Sequence, residues 1–402
     1  MSALLPVNDA LQRILANVEH VDAENVPLAE ASNRVLAQDL AATRTQPPFP
    51  ASAMDGYAVR FGDVETCPVT LDVIGESAAG HGFHDEIKTG QCVRIFTGAP
   101  VPPGADTIAI QENAQRDGDL VTISKGETKG RYVRPKGLDF SEGDVLLKAG
   151  DQLNPATLSL AAALNHPTLP VYRRPVVAII ATGDELVLPG QTPAVDQIIA
   201  SNSFGVADIV RRAGGEVLDL GIALDTPESL QAKFQAAEEA DIVVTLGGAS
   251  VGDHDLVAAG LKDKGVTLNF WKLAMRPGKP VMYGELLNRP RAQRFLGLPG
   301  NPVSSLVCAQ IFLAPLIRQL TGLSPHATRL PAQLAIDLVE NDQREEFMRA
   351  THVERDGGYH VTPFANQDSS ILSILAEATC LMIRPAHAPA AKVGDPCEII
   401  LL

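Results

Sequence analysis

Two glycines, a hydroxyl and two carboxylates crowd one short stretch: Gly247-Gly248, Ser250, Gly252, Asp253 and Asp255, directly after the small apolar run V-V-T-L at 243–246. Glycine lets a backbone come close to a ligand, and hard carboxylate oxygens suit Mg2+. Two more loops share this grammar. Thr182-Gly183-Asp184-Glu185 ends the apolar run V-V-A-I-I-A, and Pro299-Gly300-Asn301-Pro302 leads into Ser304 and Ser305. Where a helix follows such a loop, its free N–H groups favour an anion by about 0.3–1 kcal/mol. A phosphate fits these loops. Each alone also reads as an ordinary tight turn, but three at successive strand ends favour a ligand.

The basic counterpart is W-K-L-A-M-R-P-G-K-P at 271–280, which carries Lys272, Arg276 and Lys279. If Phe270 to Met275 is a strand, Lys272 and Ala274 share a face with Arg276. Carboxylates at strand ends or in glycine turns are Asp55, Asp139, Asp184, Glu185, Asp225 and Asp255. Such hard oxygens suit Mg2+, which often bridges substrate phosphates, although acids scattered in an acidic chain are more often solvated surface.

Bulk properties narrow the class. The 402 residues carry a net charge of −15, so the chain must hold anions with local devices and has no general affinity for nucleic acid or anionic membranes. Aromatics are only 4%, too few for base-stacking platforms. The five cysteines, Cys67, Cys92, Cys308, Cys380 and Cys397, form no C-x-x-C pair and read as buried reduced thiols. No H-E-x-x-H or Walker motif occurs. The start M-S-A-L-L-P-V-N-D lacks a basic n-region, and no apolar run reaches transmembrane length. A cytoplasmic enzyme without a membrane partner is expected.

The elements that must position these residues follow from periodicity. Residues 7–19 put Leu11, Ile14, Leu15 and Val18 on one helical face, and 26–40 continue in amphipathic style. The P-P-F-P at 47–50 marks a boundary. Between 46 and 135, short alternating runs broken by Gly, Pro and Asp predict antiparallel strands. A helix is predicted from Pro155. From 171 to 325, apolar strands alternate with helices, one capped by Ser201 or Ser203 and another by Thr226, which predicts a doubly wound parallel sheet ending in a long helix from Val303 to Leu320. Short strands after 328 predict a small β-barrel. The expected architecture is multidomain: a discontinuous helical and extended domain at 1–45 and 136–170, a β-rich domain at 46–135, an α/β domain at 171–325, and a barrel at 328–402.

The segments P-P-F-P-A-S-A-M-D-G-Y-A-V-R, T-G-A-P-V-P-P-G-A-D-T-I, A-T-G-D-E-L-V, S-N-S, G-G-A-S-V-G-D-H-D, W-K-L-A-M-R-P-G-K-P and G-L-P-G-N-P-V-S-S together resemble the molybdopterin molybdenumtransferases of the MoeA type, similar to the C-terminal part of gephyrin. The resemblance covers nearly the whole chain and is weakest after about residue 330. It implies insertion of molybdate into adenylylated molybdopterin with release of AMP, dependent on Mg2+. It also implies a homodimer with a shared active site, and transient contact with a separate molybdopterin adenylyltransferase.

By motif, Asp55, Thr97 and Asp139 would come from one chain. Glu185, Asp225, Asp255, Lys272 and Arg276 would come from its partner, with Glu185, Asp225 and Asp255 as the metal carboxylates. The substrate would be held by Thr182, Gly183, Ser201, Asn202, Ser203, Gly247, Gly248, Ser250, Gly252, Lys279, Pro299, Gly300, Asn301, Pro302 and Ser304, with Arg349 and Ser369 more distant. Two departures stand out: Arg276 occupies a position where lysine is common in the family, and Asp368 replaces the glycine of a Q-G-S segment. A gephyrin-like scaffold and a phosphoanhydride-cleaving nucleotide enzyme are the alternative readings. The S-A-M-D-G-Y-A-V region argues against the latter.

Overall fold

The computed structural model describes residues 4–248 and 256–402. The chain forms two compact units, one of Met1–Glu24, Asn33–Val35 and Val171–Leu402, the other of Asn25–Ser32 and Leu36–Pro170.

In the first unit a six-stranded sheet has the order Glu216–Ala223, Val176–Thr182, Ile242–Leu246, Gln293–Leu298, Met282–Leu286, Thr267–Phe270. Successive side chains of a strand point to opposite faces. Val177 and Ile179 enter one apolar core with the helices Asn202–Arg212 and Pro302–Leu320, while Ala178 and Ile180 enter a second with Leu230, Phe234 and Leu261. The sheet is therefore doubly wound, as its apolar strands predict. Only its first four strands are parallel. Met282–Leu286 and Thr267–Phe270, at one edge of the sheet, run antiparallel to their neighbours, a direction the sequence reading left open. The turn joining Met282–Leu286 to Gln293–Leu298 is too short for the crossover that parallel pairing needs.

Pro302–Leu320 is the one helix among the described residues long and apolar enough to cross a membrane, and it is mostly buried in this unit. A π-turn at Ala309–Leu313 interrupts it just before Pro315, which has no N–H to donate back along the helix. The N-terminal helix Val7–Leu15 packs Val7, Ala10 and Ile14 into the same core.

Five C-terminal strands close into a barrel. Glu345–Arg355 pairs with both Gly358–Pro363 and Cys380–Arg384, and Leu330–Leu334 and Pro396–Leu401 complete the ring. The turn between Glu345–Arg355 and Gly358–Pro363 has Asp356 and Gly357 at φ 51° and 75°, the left-handed pair that a tight hairpin requires.

In the second unit a six-stranded sheet has the order Thr107–Ile110, Gly56–Val59, Gln91–Ile95, Val69–Ser77, Leu120–Ile123, Ala114–Asp117. Its pairings are antiparallel, as expected, except between Val69–Ser77 and Gln91–Ile95. Both faces are apolar: Tyr57 and Ala109 join one core, Ala58 and Ile108 the other. The helix Pro155–Ala163 starts at the expected proline, and the Asn154 side chain accepts from the Ala156 and Thr157 N–H groups.

Two local expectations fail. Residues 26–40 are not a helix but a strand end, a 3-10 turn at Leu28–Glu30 and extended chain. Pro27 and Asn33, at φ 60°, interrupt any helical run there. Lys272 to Arg276 is not a continuation of the strand Thr267–Phe270; only Met275–Arg276 is extended, and it pairs with the barrel strand Glu345–Arg355. Of the cysteines, Cys92, Cys308 and Cys380 are buried, whereas Cys67 and Cys397 are half-buried.

Candidate functional site

A ligand crevice in an open α/β sheet lies beyond the carboxyl ends of the strands, where the strand order reverses direction. Here the order reverses beside Val176–Thr182, with Glu216–Ala223 on one side and Ile242–Leu246 on the other. A cleft of about 960 Å³ opens there. Its walls include Thr182, Gly183, Glu185, Asp225, Gly247, Gly248, Lys272, Lys279 and Pro299–Pro302. The starts of two helices, Asn202–Arg212 and Pro302–Leu320, reach it through Ser201, Asn202, Ser203 and Pro302. Free N–H groups at helix starts favour a nearby anion.

Glycine is required where the loops approach closely. Gly247 and Gly248 have φ of 97° and 63°, and a Cβ on Gly247 would stand 2.8 Å from the Thr182 carbonyl. Gly183 has φ 147°, and the Glu185 carboxylate folds over it so closely that a Cβ would lie 2.3 Å from Oε2. The Asn202 side chain donates to the Gly300 carbonyl at 2.7 Å, tying two of the loops together. Asp225 is placed by its N–H, which donates to Asp184 Oδ1 at 3.0 Å. Thr226 caps the next helix by accepting from Ser229 N–H at 3.2 Å. Ser201 precedes its helix without a side-chain cap bond.

Glu185, Asp225, Lys272 and Lys279 are exposed, and none is in an ion pair among the described residues. The cleft thus offers two carboxylates and two ammonium groups. Ser250, Gly252, Asp253 and Asp255 lie outside the described residues. Among the described residues no group of three potential metal ligands is gathered.

Several expected residues sit elsewhere. Arg276 is not in the cleft wall. Its guanidinium lies 3.3 Å from Glu346 Oε1 and 3.4 Å from Asp342 Oδ2. Its chain turns toward the barrel because Met275–Arg276 pairs there. Arg349 is 1% exposed and donates to Gln367 Oε1 and to the Ile371 and Asn366 carbonyls. Ser304 is buried at the first turn of its helix. Ser369 receives the Asn301 side chain at 2.8 Å, while the neighbouring Ser370 lines the cleft. The apolar wall of Leu186, Ile198 and Ile199 was missed. Its sequence signal is the pair Ile198-Ile199 shortly before Ser201.

In the second unit, Asp55 precedes the strand Gly56–Val59 and Thr97 follows Gln91–Ile95. The antiparallel register Gly56↔Ile95 sets them side by side. Asp55 Oδ1 accepts from Thr97 N–H at 2.7 Å and from its hydroxyl at 2.9 Å. These two bonds hold the Asp55 carboxyl below the usual carboxylate range, helped by the charge of Arg94. Asp139 is exposed in a turn where its N–H donates to the Gln46 carbonyl at 3.0 Å.

A depressed folded-state pKa contributes stability that is present above the unfolded value and lost as pH falls through the folded one. Thr97→Val removes the hydroxyl but keeps the N–H bond. It is expected to move the Asp55 titration part-way up toward the ordinary value, followed by the carboxyl carbon resonance in NMR. An unchanged midpoint would assign the shift to the N–H and Arg94 alone.

Three family models match in chain order: the MoeA N-terminal region (domain I and II) at residues 5–165, a probable molybdopterin binding domain at 178–319, and the MoeA C-terminal region (domain IV) at 331–402. A molybdopterin molybdenumtransferase of Haemophilus influenzae is 36% identical over 98% of each chain. One from a Nostoc species is 41% identical over 95% of this chain and 89% of that one. The crystal structure of a molybdopterin biosynthesis MoeA protein from Pyrococcus horikoshii superimposes with a TM-score of 0.84 at 29% identity, covering 99% of both chains. From the three matched regions, the whole-length identity and the shared architecture, the chain belongs to the molybdopterin molybdenumtransferase family of the MoeA type.

Proposed function

We propose that this transferase of molybdenum cofactor biosynthesis takes adenylylated molybdopterin and molybdate as substrates, inserts molybdenum at the pterin dithiolene and releases AMP. The observation that carries the reading is the cleft itself: two helix starts, Lys272, Lys279, Glu185 and Asp225 all line it at the sheet's switch point. A phosphoanhydride and molybdate are both anions, and the chain is acidic, so their approach needs this local positive field.

The glycine loops bring backbone close to the phosphates, and the side chains of Asn202 and Asn301 hold two of those loops in place. The wall of Leu186, Ile198 and Ile199 offers a ring system an apolar face. Attack by a molybdate oxygen or a water on the AMP phosphorus breaks the phosphoanhydride, with the pterin phosphate as leaving group, and gives adenylated molybdate or AMP. Lys272 and Lys279 stabilise the charge that grows on that leaving group. The two dithiolene thiols then bond to molybdenum as AMP or oxygens leave it, the thiol protons departing with the oxygens as water.

The donor chemistry fits magnesium: Glu185 and Asp225 present hard oxygens to the cleft without cationic partners among the described residues. These two, with Asp255, would hold it. When bound it supplies electrophilic polarisation of the anhydride. We assign Asp55, Thr97 and Asp139 to the same reaction, contributed by the second subunit of a homodimer. A cytoplasmic location and delivery of substrate by a separate adenylyltransferase complete the proposal.

The test is anaerobic turnover of adenylylated molybdopterin with molybdate and Mg2+, following AMP and active cofactor together, with Asp225→Asn beside the natural protein. Joint, molybdate-dependent appearance of both products, lost in the variant, supports the reading. AMP release that ignores molybdate marks a pyrophosphatase, and tight pterin binding without turnover marks a binding module.

A further inference from the structure

We infer that Arg94 is a positioning residue for Asp55: its guanidinium joins the two strand ends that carry Asp55 and Thr97, and so aims the Asp55 carboxylate. The inference rests on Asp55 taking part in the proposed reaction.

Arg94 stands directly opposite Tyr57 where Gln91–Ile95 pairs with Gly56–Val59. Its side chain is half-buried and held on both edges and across its face. One Nη donates to the Gly56 carbonyl at 3.0 Å, and the other donates to Gln111 Oε1 at 2.8 Å. Its Cζ lies 4.8 Å from the centre of the Phe96 ring and 5.3 Å from that of Tyr57. Each of these contacts bears on the Asp55–Thr97 pair. Gly56 follows Asp55 in the chain, and Phe96 precedes Thr97. Gln111 returns to Asp55 through its own N–H, which donates to the Asp55 carbonyl at 3.1 Å. The circuit closes where Thr97 donates its N–H and its hydroxyl to Asp55 Oδ1. Oδ2 then has no hydrogen bond among the described residues, which leaves that oxygen to meet a ligand.

The circuit needs an arginine. A planar guanidinium donates from two edges while its face lies against a ring, and an ammonium has neither the fork nor the face. Both terminal nitrogens are spent on bonds within this unit, which favours a role exerted through Asp55 over direct contact with a ligand. The Thr97 N–H, and then its hydroxyl, do most to hold the Asp55 carboxyl low, and the Arg94 charge adds to them. Loosening the circuit therefore acts on Asp55 through the Thr97 bonds even where the charge is kept.

The experiment uses the full chain with Arg94→Lys, Arg94→Met and Gln111→Ala. NMR follows exchange of the Thr97 amide and the titration of the Asp55 carboxyl, and AMP release gives kcat and KM. Arg94→Lys is expected to speed Thr97 exchange and to raise the Asp55 titration toward the ordinary carboxylate value, although the charge remains. It should lower kcat about tenfold to 10²-fold with KM nearly unchanged, the scale of a misplaced reacting group. Arg94→Met, which also loses the charge, should raise the titration further. Gln111→Ala keeps the Arg94 charge and the Gln111 N–H on an exposed residue, and should move exchange and titration the same way by less. If Arg94 acts by charge alone, Arg94→Lys and Gln111→Ala will match the natural protein in Thr97 exchange and in kcat. If it binds a ligand itself, KM will rise while Thr97 exchange stays put. Either outcome overturns the inference. The expected exchange and titration changes in a protein whose turnover survives Asp55→Asn would uphold the positioning of Asp55 and count against its part in the reaction.

Discussion

Lys272→Ala is expected to lower kcat/KM for AMP release by about 10²–10³-fold, the scale of losing one preorganised donor at a developing charge. Among the described residues the cleft wall carries two cations, Lys272 and Lys279. Arg276, four residues along, is outside the cleft wall and pairs with Glu346 and Asp342. The Lys272 ammonium makes no ion pair among the described residues and its side chain is exposed, so thermal unfolding should shift little. The split between constants assigns the role. A fall in kcat with KM nearly unchanged places the charge at the transition state, whereas a rise in KM alone makes Lys272 a general anion anchor. Equal AMP release by Lys272→Ala and the natural protein would remove the basic pair from the chemistry. Lys272→Arg keeps the charge but changes the donor geometry, and should recover only part of the rate.

The parts of this site that are legible in the sequence are those where backbone conformation dictates residue type. Gly183, Gly247 and Gly248 occupy positions where φ and close approach exclude a side chain, and runs of small apolar residues announce the strands that end there. Thr226 is legible as a cap, and Pro155 as a helix start, for the same local reason. Side-chain direction is not local. Arg276 reads as a ligand from its spacing to Lys272, yet a barrel strand almost seventy residues later pulls it out of the cleft. Arg349 carries a charge that sequence assigns to a ligand, but the fold wraps it in the carbonyls of 366 and 371. Strand polarity is equally silent: V-T-L-N-F has the composition of a parallel strand and runs antiparallel. The pairing of Asp55 with Thr97 depends on a strand register that no spacing in the chain states.

Gly56→Ala is expected to destabilise the protein by about 3 kcal/mol, at the upper end for overpacking, because the clash is with backbone and no rotamer relieves it. A Cβ at this position would stand 2.0 Å from the Ala109 carbonyl oxygen and 2.9 Å from the Ile110 Cα. Gly56 begins a strand bonded on both sides, to Thr107–Ile110 and to Gln91–Ile95, so a shift away from Ala109 disturbs the other ladder. The functional consequence follows from the neighbouring residue. The Asp55 carbonyl accepts from Gln111 N–H at 3.1 Å, the Gly56 carbonyl accepts from Arg94 at 3.0 Å, and the Asp55 carboxylate is held by Thr97. Displacing the strand start loosens all three, so the Asp55 titration should rise toward the ordinary carboxylate range in the same variant that melts early. Gly62→Ala is the control. Nothing lies within 4 Å of its Cβ, and it sits in the short helix Phe61–Val64, so it should be neutral or slightly stabilising. Urea unfolding followed by circular dichroism, with amide exchange read along Gly56–Val59, separates the two. If Gly56→Ala matches Gly62→Ala in stability and leaves Asp55 titrating where it does in the natural protein, the close approach of the two strands is not what holds this carboxylate in place.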